Sequence, residues 1–208
     1  MPKMLLATGN PGKIREFRQL LGDLPLTLVT PADLREQGIE LPDVIEDGDT
    51  FEHNARKKAL ELARATGILA MSDDSGLQVD VLGGAPGVRS ARYAGEHCDD
   101  DDNNQRLVRE LADVPFERRT ARYRVVLAVA DPEGPLGDDA HLEAATCEGH
   151  IQLEPRGQGG FGYDPHFQPV GHDRRMAELT PDEKNAISHR GKATRKMREF
   201  LERYLAER

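Results

Sequence analysis

Thr8-Gly9-Asn10-Pro11-Gly12-Lys13 joins the end of the first apolar run to the start of a helical pattern. A helix N-terminus carries unsatisfied N–H groups and a partial positive charge, and Lys13 adds a full one, so the chemistry this turn suits is the binding of an anion such as phosphate. Asn10 is a favoured N-cap and Pro11 a favoured first helical residue. Taken by itself, the segment fits a ligand-free strand-to-helix turn equally well. It is not a P-loop, which needs a glycine where this chain has Ala7 and a Ser or Thr where it has Ile14. Gly157-Gln158-Gly159-Gly160-Phe161-Gly162 matches the dinucleotide-binding pattern but lies between Pro155 and Pro165 with no helix following, so it reads as a flexible loop.

A second group of reactive types is Ser72-Asp73-Asp74-Ser75-Gly76, at the expected exit of a buried strand. Adjacent strand residues face opposite ways, so only one of the two acids serves a given cleft. Asp74, beside the flexible Ser75-Gly76, is the better candidate for a metal ligand or general base. Glu46 is a further carboxylate, and oxygen ligands plus waters and phosphates suit octahedral magnesium. On its own, Glu46 reads more simply as a surface loop acid. In the third group, Phe161-Gly162-Tyr163-Asp164-Pro165 sets an aromatic face between glycines with an acceptor beside it, a combination able to stack on a nucleobase and read its edge. Phe161 reads equally well as a core aromatic. Lys184 and the pair His189-Arg190 supply donors.

These residues need a scaffold. Lys3 to Ala7 reads as a short buried strand, and Ile14, Phe17, Leu20 and Leu21 as a helix behind Lys13. Leu26 to Val29 predicts a second strand, and Pro31 to Asp49 an acidic, irregular connection. Thr50 caps a long helix with Phe51, Ala55, Ala59 and Leu62 on its buried stripe. Ile68 to Met71 is the next strand. Gly83-Gly84-Ala85-Pro86-Gly87 reads as a loop or inter-lobe hinge. Asp99 to Asn104 lacks the glycine that a calcium loop needs; its acids open the helix carrying Leu107, Val108 and Leu111. Ala121 to Ala130 and Leu142 to Leu153 predict further strands. Thr180-Pro181-Asp182-Glu183 starts a helix, and Met197, Phe200, Leu201, Tyr204 and Leu205 mark the last one. The alternation predicts an α/β chain.

The 208 residues carry 28 Lys+Arg against 37 Asp+Glu, a net charge of −9, so duplex DNA or an anionic membrane would have to meet a local basic patch. The one such patch, from Arg174 to Arg203, is interleaved with acids and reads as a solvated helix face. No apolar run of roughly 18 residues and no leader pattern is present, and a soluble, cytoplasmic protein is expected. Cys98 and Cys147 are expected to stay reduced, and His97-Cys98-Asp99 lacks partners at zinc-ligand spacing.

TGNPGK, SDDSGL, GGFGYDP and ELTPDEKNAISHRGKA, in this order, closely resemble the inosine triphosphate pyrophosphatase family, the bacterial non-canonical purine nucleotide pyrophosphatases. VLGGAPGVRSARY, from Val81 to Tyr93, is similar to a further family segment, and Asp49 to Ala55 is so in part. The resemblance implies an elongated mixed β-sheet with flanking helices, forming two lobes around a central cleft in a single domain over 1–208, and a homodimer. It implies hydrolysis of ITP, dITP and XTP to monophosphate and pyrophosphate, which would keep these nucleotides out of DNA and RNA. Carried over by position, Thr8, Gly9, Asn10, Pro11, Gly12 and Lys13 hold the triphosphate, Glu46 and Asp74 bind Mg2+, and Asp74 also serves as the base. Ser75 touches substrate, Phe161 stacks on the purine, Gly162, Tyr163 and Asp164 shape its pocket, and Lys184, His189 and Arg190 complete recognition. One departure is His53, where the family's TFxENA segment has Glu. The rival readings are a pyrophosphatase for other modified nucleotides and a non-catalytic nucleotide sensor.

Overall fold

The computed structural model describes residues 1–207, in an α/β arrangement. Its strands are β1 (Lys3–Leu6), β2 (Thr27–Val29), β3 (Leu69–Val79), β4 (Thr120–Ala130), β5 (Ala140–Ile151) and β6 (Phe167–Pro169). They form one six-stranded sheet in the order β2-β1-β3-β4-β5-β6. The sheet is mixed: β1 runs parallel to β2 and β3, whereas β5 and β6 are antiparallel. The helices are α1 (Pro11–Leu21), α2 (Pro31–Glu36), α3 (Phe51–Thr66), α4 (Asp100–Leu111), α5 (Pro181–Ile187) and α6 (His189–Glu207).

The chain divides into two compact units. Unit 1 comprises Met1–Asp74, Val125–Ala144 and the C-terminal segment from Ala193; unit 2 comprises Ser75–Arg124 and Ala145–Lys192. In unit 1 the central strands read as continuous apolar runs because both faces are covered. Met4, Leu5 and Leu6 of β1 and Val125 to Ala130 of β4 are buried, with Phe17, Leu21, Ala55, Ala59, Met197 and Leu201 supplying helical stripes. Unit 2 has its own core, in which Leu77, Val79, Leu107, Leu111, Tyr123, Tyr163 and Phe167 pack together.

Local chemistry explains the helix starts. Asn10 caps α1, Thr50 caps α3, and Asp99 and Thr180 form capping boxes on α4 and α5. Several expectations are corrected. The connection after β2 is not wholly irregular, because Thr30 and Asp33 form a capping box that starts α2. Residues 83–87 lie inside unit 2 as a hydrogen-bonded turn beside β3, with Gly84 N–H donating to Val79 O at 3.0 Å, and are not a hinge. The short edge strand β6 has too few residues to show a period.

The largest correction concerns the acids. Ser72 to Gly76 is not a strand exit; β3 continues through it to Val79. Nor is Gly76 a flexible link. A Cβ there would lie 2.3 Å from Gly87 O and 2.4 Å from Ser90 Oγ, so this position is glycine because another segment crosses the strand at contact distance.

Candidate active site

In unit 1 the register Leu6↔Met71 and the bond from Ala7 N–H to Met71 O, 2.8 Å, carry the turn after β1 alongside the acids of β3. Lys13, in the first turn of α1, thereby reaches Asp73: Nζ lies 2.9 Å from Oδ2, and the Asp73 side chain is fully buried. Asp73 thus holds Lys13. The amides of this turn are less available than its sequence suggests. Asn10 Oδ1 accepts from Gly12 N–H at 2.8 Å and Lys13 N–H at 3.2 Å, and Thr8 Oγ1 accepts from Asn10 N–H at 3.2 Å. The positive field at this turn comes from Lys13 and the helix dipole more than from those three amides.

Asp74 is buried, 6% exposed. Burial pushes its carboxyl up to about 6; the Asn54 hydrogen bond opposes the shift, the charge of Glu46 adds to it, and Lys58 and Lys13 pull it back. Asn54, on the buried face of α3, donates to Asp74 Oδ2 at 2.9 Å while its own Oδ1 accepts from Gly48 N–H at 2.8 Å. One side chain thus ties the Glu46 loop to the acid. Lys58, one turn further along the same helix face, lies 2.6 Å from Glu46 Oε1. Burial disfavours its charge, but Asp73, Glu46 and Asp74 outweigh this and hold its pKa above the usual lysine value. Asn54 and Lys58 were missed in the sequence, although both lie on one stripe of a helix that was expected.

The donors here fit a hard divalent cation. They are carboxylate oxygens, and the repulsion between Glu46 and Asp74 is what a bound cation would relieve. Among the described residues, no three His, Cys, Asp or Glu side chains converge as a metal site. Water and phosphate oxygens would complete the shell, as is usual for magnesium. His53 is exposed on α3; its backbone N–H donates to the Thr50 cap at 3.2 Å.

In unit 2, Ser75 Oγ accepts from Arg190 Nη2 at 3.1 Å. The Arg190 guanidinium lies 5.4 Å, and Lys184 Nζ 4.6 Å, from the centre of the Phe161 ring, so two cations bear on one aromatic. Asp164, 3% exposed, accepts from Lys184 Nζ at 2.8 Å, Phe161 N–H at 3.0 Å and Tyr123 Oη at 3.1 Å. Its oxygens are engaged in holding the loop, where the sequence had suggested an acceptor for a base. Tyr163 donates to Ser90 O at 2.7 Å. His189, at the start of α6, stacks on Tyr123 with ring centres 4.7 Å apart and planes 10° from parallel. Tyr123 was missed, since in the sequence it is one more apolar residue of a strand. Burial, then the charge of Asp164, raises its phenol well above the ordinary value, so it remains a donor.

Each group therefore has a distinct competence, acid and cation chemistry in unit 1 and an aromatic face with fixed donors in unit 2. A dITP/XTP pyrophosphatase of Anaeromyxobacter sp. (strain Fw109-5) is 47% identical over 232 residues, covering 98% of this chain and 98% of that one. The dITP/XTP pyrophosphatase of Geobacillus kaustophilus (strain HTA426) is 47% identical over 202 residues, covering 97% of this chain and 95% of that one. Among solved structures, a HAM1 protein from Coxiella burnetii superposes with a TM-score of 0.85 at 38% identity, covering 98% and 100% of the two chains. A nucleoside-triphosphatase, dITP/XTP pyrophosphatase, from Mycobacterium abscessus does so with a TM-score of 0.73 at 42% identity, covering 94% and 98%. The Ham1 family model matches residues 4–200, and with that span and these end-to-end relatives the chain belongs to the Ham1 family, in agreement with the resemblance carried by its motifs.

Proposed function

We propose that this chain hydrolyses ITP, dITP and XTP to the nucleoside monophosphate and pyrophosphate, removing these nucleotides before they enter DNA or RNA. The observation that carries the reading is Asp74, a buried carboxylate poised near pH 6 beside Glu46 and two lysines, in a chain whose relatives are named for this activity. Thr8, Gly9, Asn10, Pro11, Gly12 and Lys13 hold the triphosphate. A water oxygen forms a bond to the α-phosphorus, the α–β bridging bond breaks, and pyrophosphate leaves. Asp74, ionised above its pKa of about 6, takes the water's proton. Lys13, steadied by Asp73, offsets charge on the leaving group. Glu46 and Asp74 bind magnesium, which when present supplies a Lewis acid for the phosphate oxygens.

Phe161 stacks on the purine, Ser75, Gly162, Tyr163 and Asp164 shape its surroundings, and Lys184, His189 and Arg190 supply polar recognition. Hypoxanthine and xanthine present an oxygen at position 6 where adenine presents an amine. A donor from Arg190 or a backbone N–H is satisfied by the first and opposed by the second, a difference of about 1–3 kcal/mol, or on the order of 5- to 150-fold per site. Rejection of guanine needs a second device at the 2-amino group, for which we propose steric exclusion.

A panel of ITP, dITP, XTP, GTP, ATP and modified pyrimidine triphosphates, assayed for pyrophosphate with magnesium and with EDTA, tests the reading. Fast release from the first three and none in EDTA is expected. Equal rates with ATP and ITP would end the specificity argument, and preference for a pyrimidine would select the rival pyrophosphatase. The sensor reading is disfavoured because Asp74 and Glu46 are both present. The same reading includes a cytoplasmic homodimer without a nucleic-acid partner, in keeping with the net charge of −9; sedimentation of the purified protein tests the dimer. No helix among the described residues is long and apolar enough to cross a membrane.

A further inference from the structure

The acidic run from Asp99 to Asn104, unsuited to calcium by sequence, has an unassigned part in the molecule. Asp99 caps α4 through Asp102 N–H at 2.9 Å, which leaves Asp100 and Asn104 one turn apart on one face of the helix. Both reach the same residue, on the peptide units either side of its Cα. Asp100 Oδ2 accepts from Gly162 N–H at 2.6 Å, and Asn104 Nδ2 donates to Gly162 O at 3.0 Å. The donor and the acceptor of a single residue are thereby held by two side chains of one rigid helix.

We propose that Asp100 and Asn104 are positioning residues that clamp Gly162 and so set the plane of the Phe161 ring. The proposal rests on the reading of Phe161 as the purine platform. Gly162 has φ of 62°, the left-handed region that glycine enters without strain, so the loop reverses direction immediately after the aromatic residue. A reversal at that point turns any rotation of the Gly162 peptide into a swing of Phe161. The loop has further ties, none of them to Gly162 itself: Asp164 holds the Phe161 N–H at 3.0 Å, Asp164 N–H donates to Phe161 O at 3.4 Å, and Tyr163 is anchored to Ser90 O at 2.7 Å. Asp100 is exposed while Asn104 is buried, so the two ends of the clamp can be tested separately.

Asp100→Ala leaves Asp99 to cap α4 and is the clean variant; Asp100→Asn keeps an oxygen to accept from Gly162. Two readouts are needed on the full chain, steady-state pyrophosphate release from ITP and amide hydrogen exchange over residues 160–164. We expect Asp100→Ala to raise KM for ITP about five- to tenfold with kcat within about twofold, and to speed exchange at Gly162. Asp100→Asn should recover most of both. Faster exchange without a change in KM would reduce the clamp to a structural contact and overturn the positioning role. A KM change without faster exchange would overturn the route through Gly162. Phe161→Ala separates this proposal from the one beneath it: if that variant keeps its KM for ITP, the platform reading fails, whatever the exchange data say of the clamp.

Discussion

Asp74 in unit 1 and Asp164 in unit 2 are buried to nearly the same extent, 6% and 3% exposed, yet their surroundings are opposite. Burial pushes the Asp74 carboxyl up to about 6, with the Asn54 hydrogen bond opposing the shift and the like charge of Glu46 adding to it. Asp164 is surrounded by an ammonium, a phenol and a backbone N–H, all within hydrogen-bonding distance. A carboxylate kept short of donors retains the basicity to take a proton or the charge to hold a cation. One supplied with donors on both oxygens is fixed in place and serves geometry. Burial alone does not distinguish a reactive acid from a structural one. The number and sign of the neighbours does.

The largest effect should come from breaking the unit 1 side. Asp74→Asn keeps the size of the side chain and an oxygen for Asn54, but removes both the proton acceptor and the charge. Pyrophosphate release from ITP should fall on the order of a thousandfold. Near-normal turnover in this variant would dismiss Asp74 as the base and leave the contrast with Asp164 without functional meaning.

The same variant should be more stable than its parent. Because the folded pKa of Asp74, about 6, lies above the ordinary aspartate value of 3.8, the native state binds protons more tightly than the unfolded chain, and stability falls as pH rises through that window. Above pH 6 the penalty is fully present, roughly 3 kcal/mol. In EDTA, Asp74→Asn should therefore melt later than the parent at pH 8, and the gain should vanish below pH 4. A variant that melts earlier at pH 8 would show that Asn54 and the lysines more than offset burial.

How much of this could be read from the residues differs between the units for a physical reason. The turn Thr8 to Lys13, the cap at Thr50 and the acids of β3 are local features, and helix period, capping chemistry and charge made them visible. Asn54 and Lys58 were within reach, since an expected helix puts them on one face. The extent of β3 was hidden because polar residues in a strand interior look like its end, and the crossing of Gly87 and Ser90 that requires a glycine at position 76 is a contact distant in sequence. The partners of Asp164 were beyond reach. Tyr123 is 41 residues away in sequence and Lys184 is 20, and no period links them. The loop at Phe161 is likewise held by α4, whose acids looked like nothing more than a helix start.

The smallest of these effects, and the one that sharpens the contrast most, is expected from Tyr123→Phe. The phenol keeps its proton at any working pH, because burial and the charge of Asp164 both disfavour its ionisation, so the wild-type contact is always a donated hydrogen bond to the carboxylate. Removing it strips a buried carboxylate of one donor without opening a cavity, a loss of about 1–3 kcal/mol. For a chain of this size that lowers Tm by roughly 2–4 °C per kcal/mol, readable by thermal melting. The ring remains to stack on His189, so kcat should hold while KM for ITP rises severalfold as Asp164 loosens its grip on Phe161 N–H. At pH 8 the two variants should then move in opposite directions, Asp74→Asn more stable and inactive, Tyr123→Phe less stable and still turning over. If Tyr123→Phe melts with its parent and binds ITP as well, the phenol is not what fixes Asp164, and that part falls to Lys184 and the Phe161 N–H.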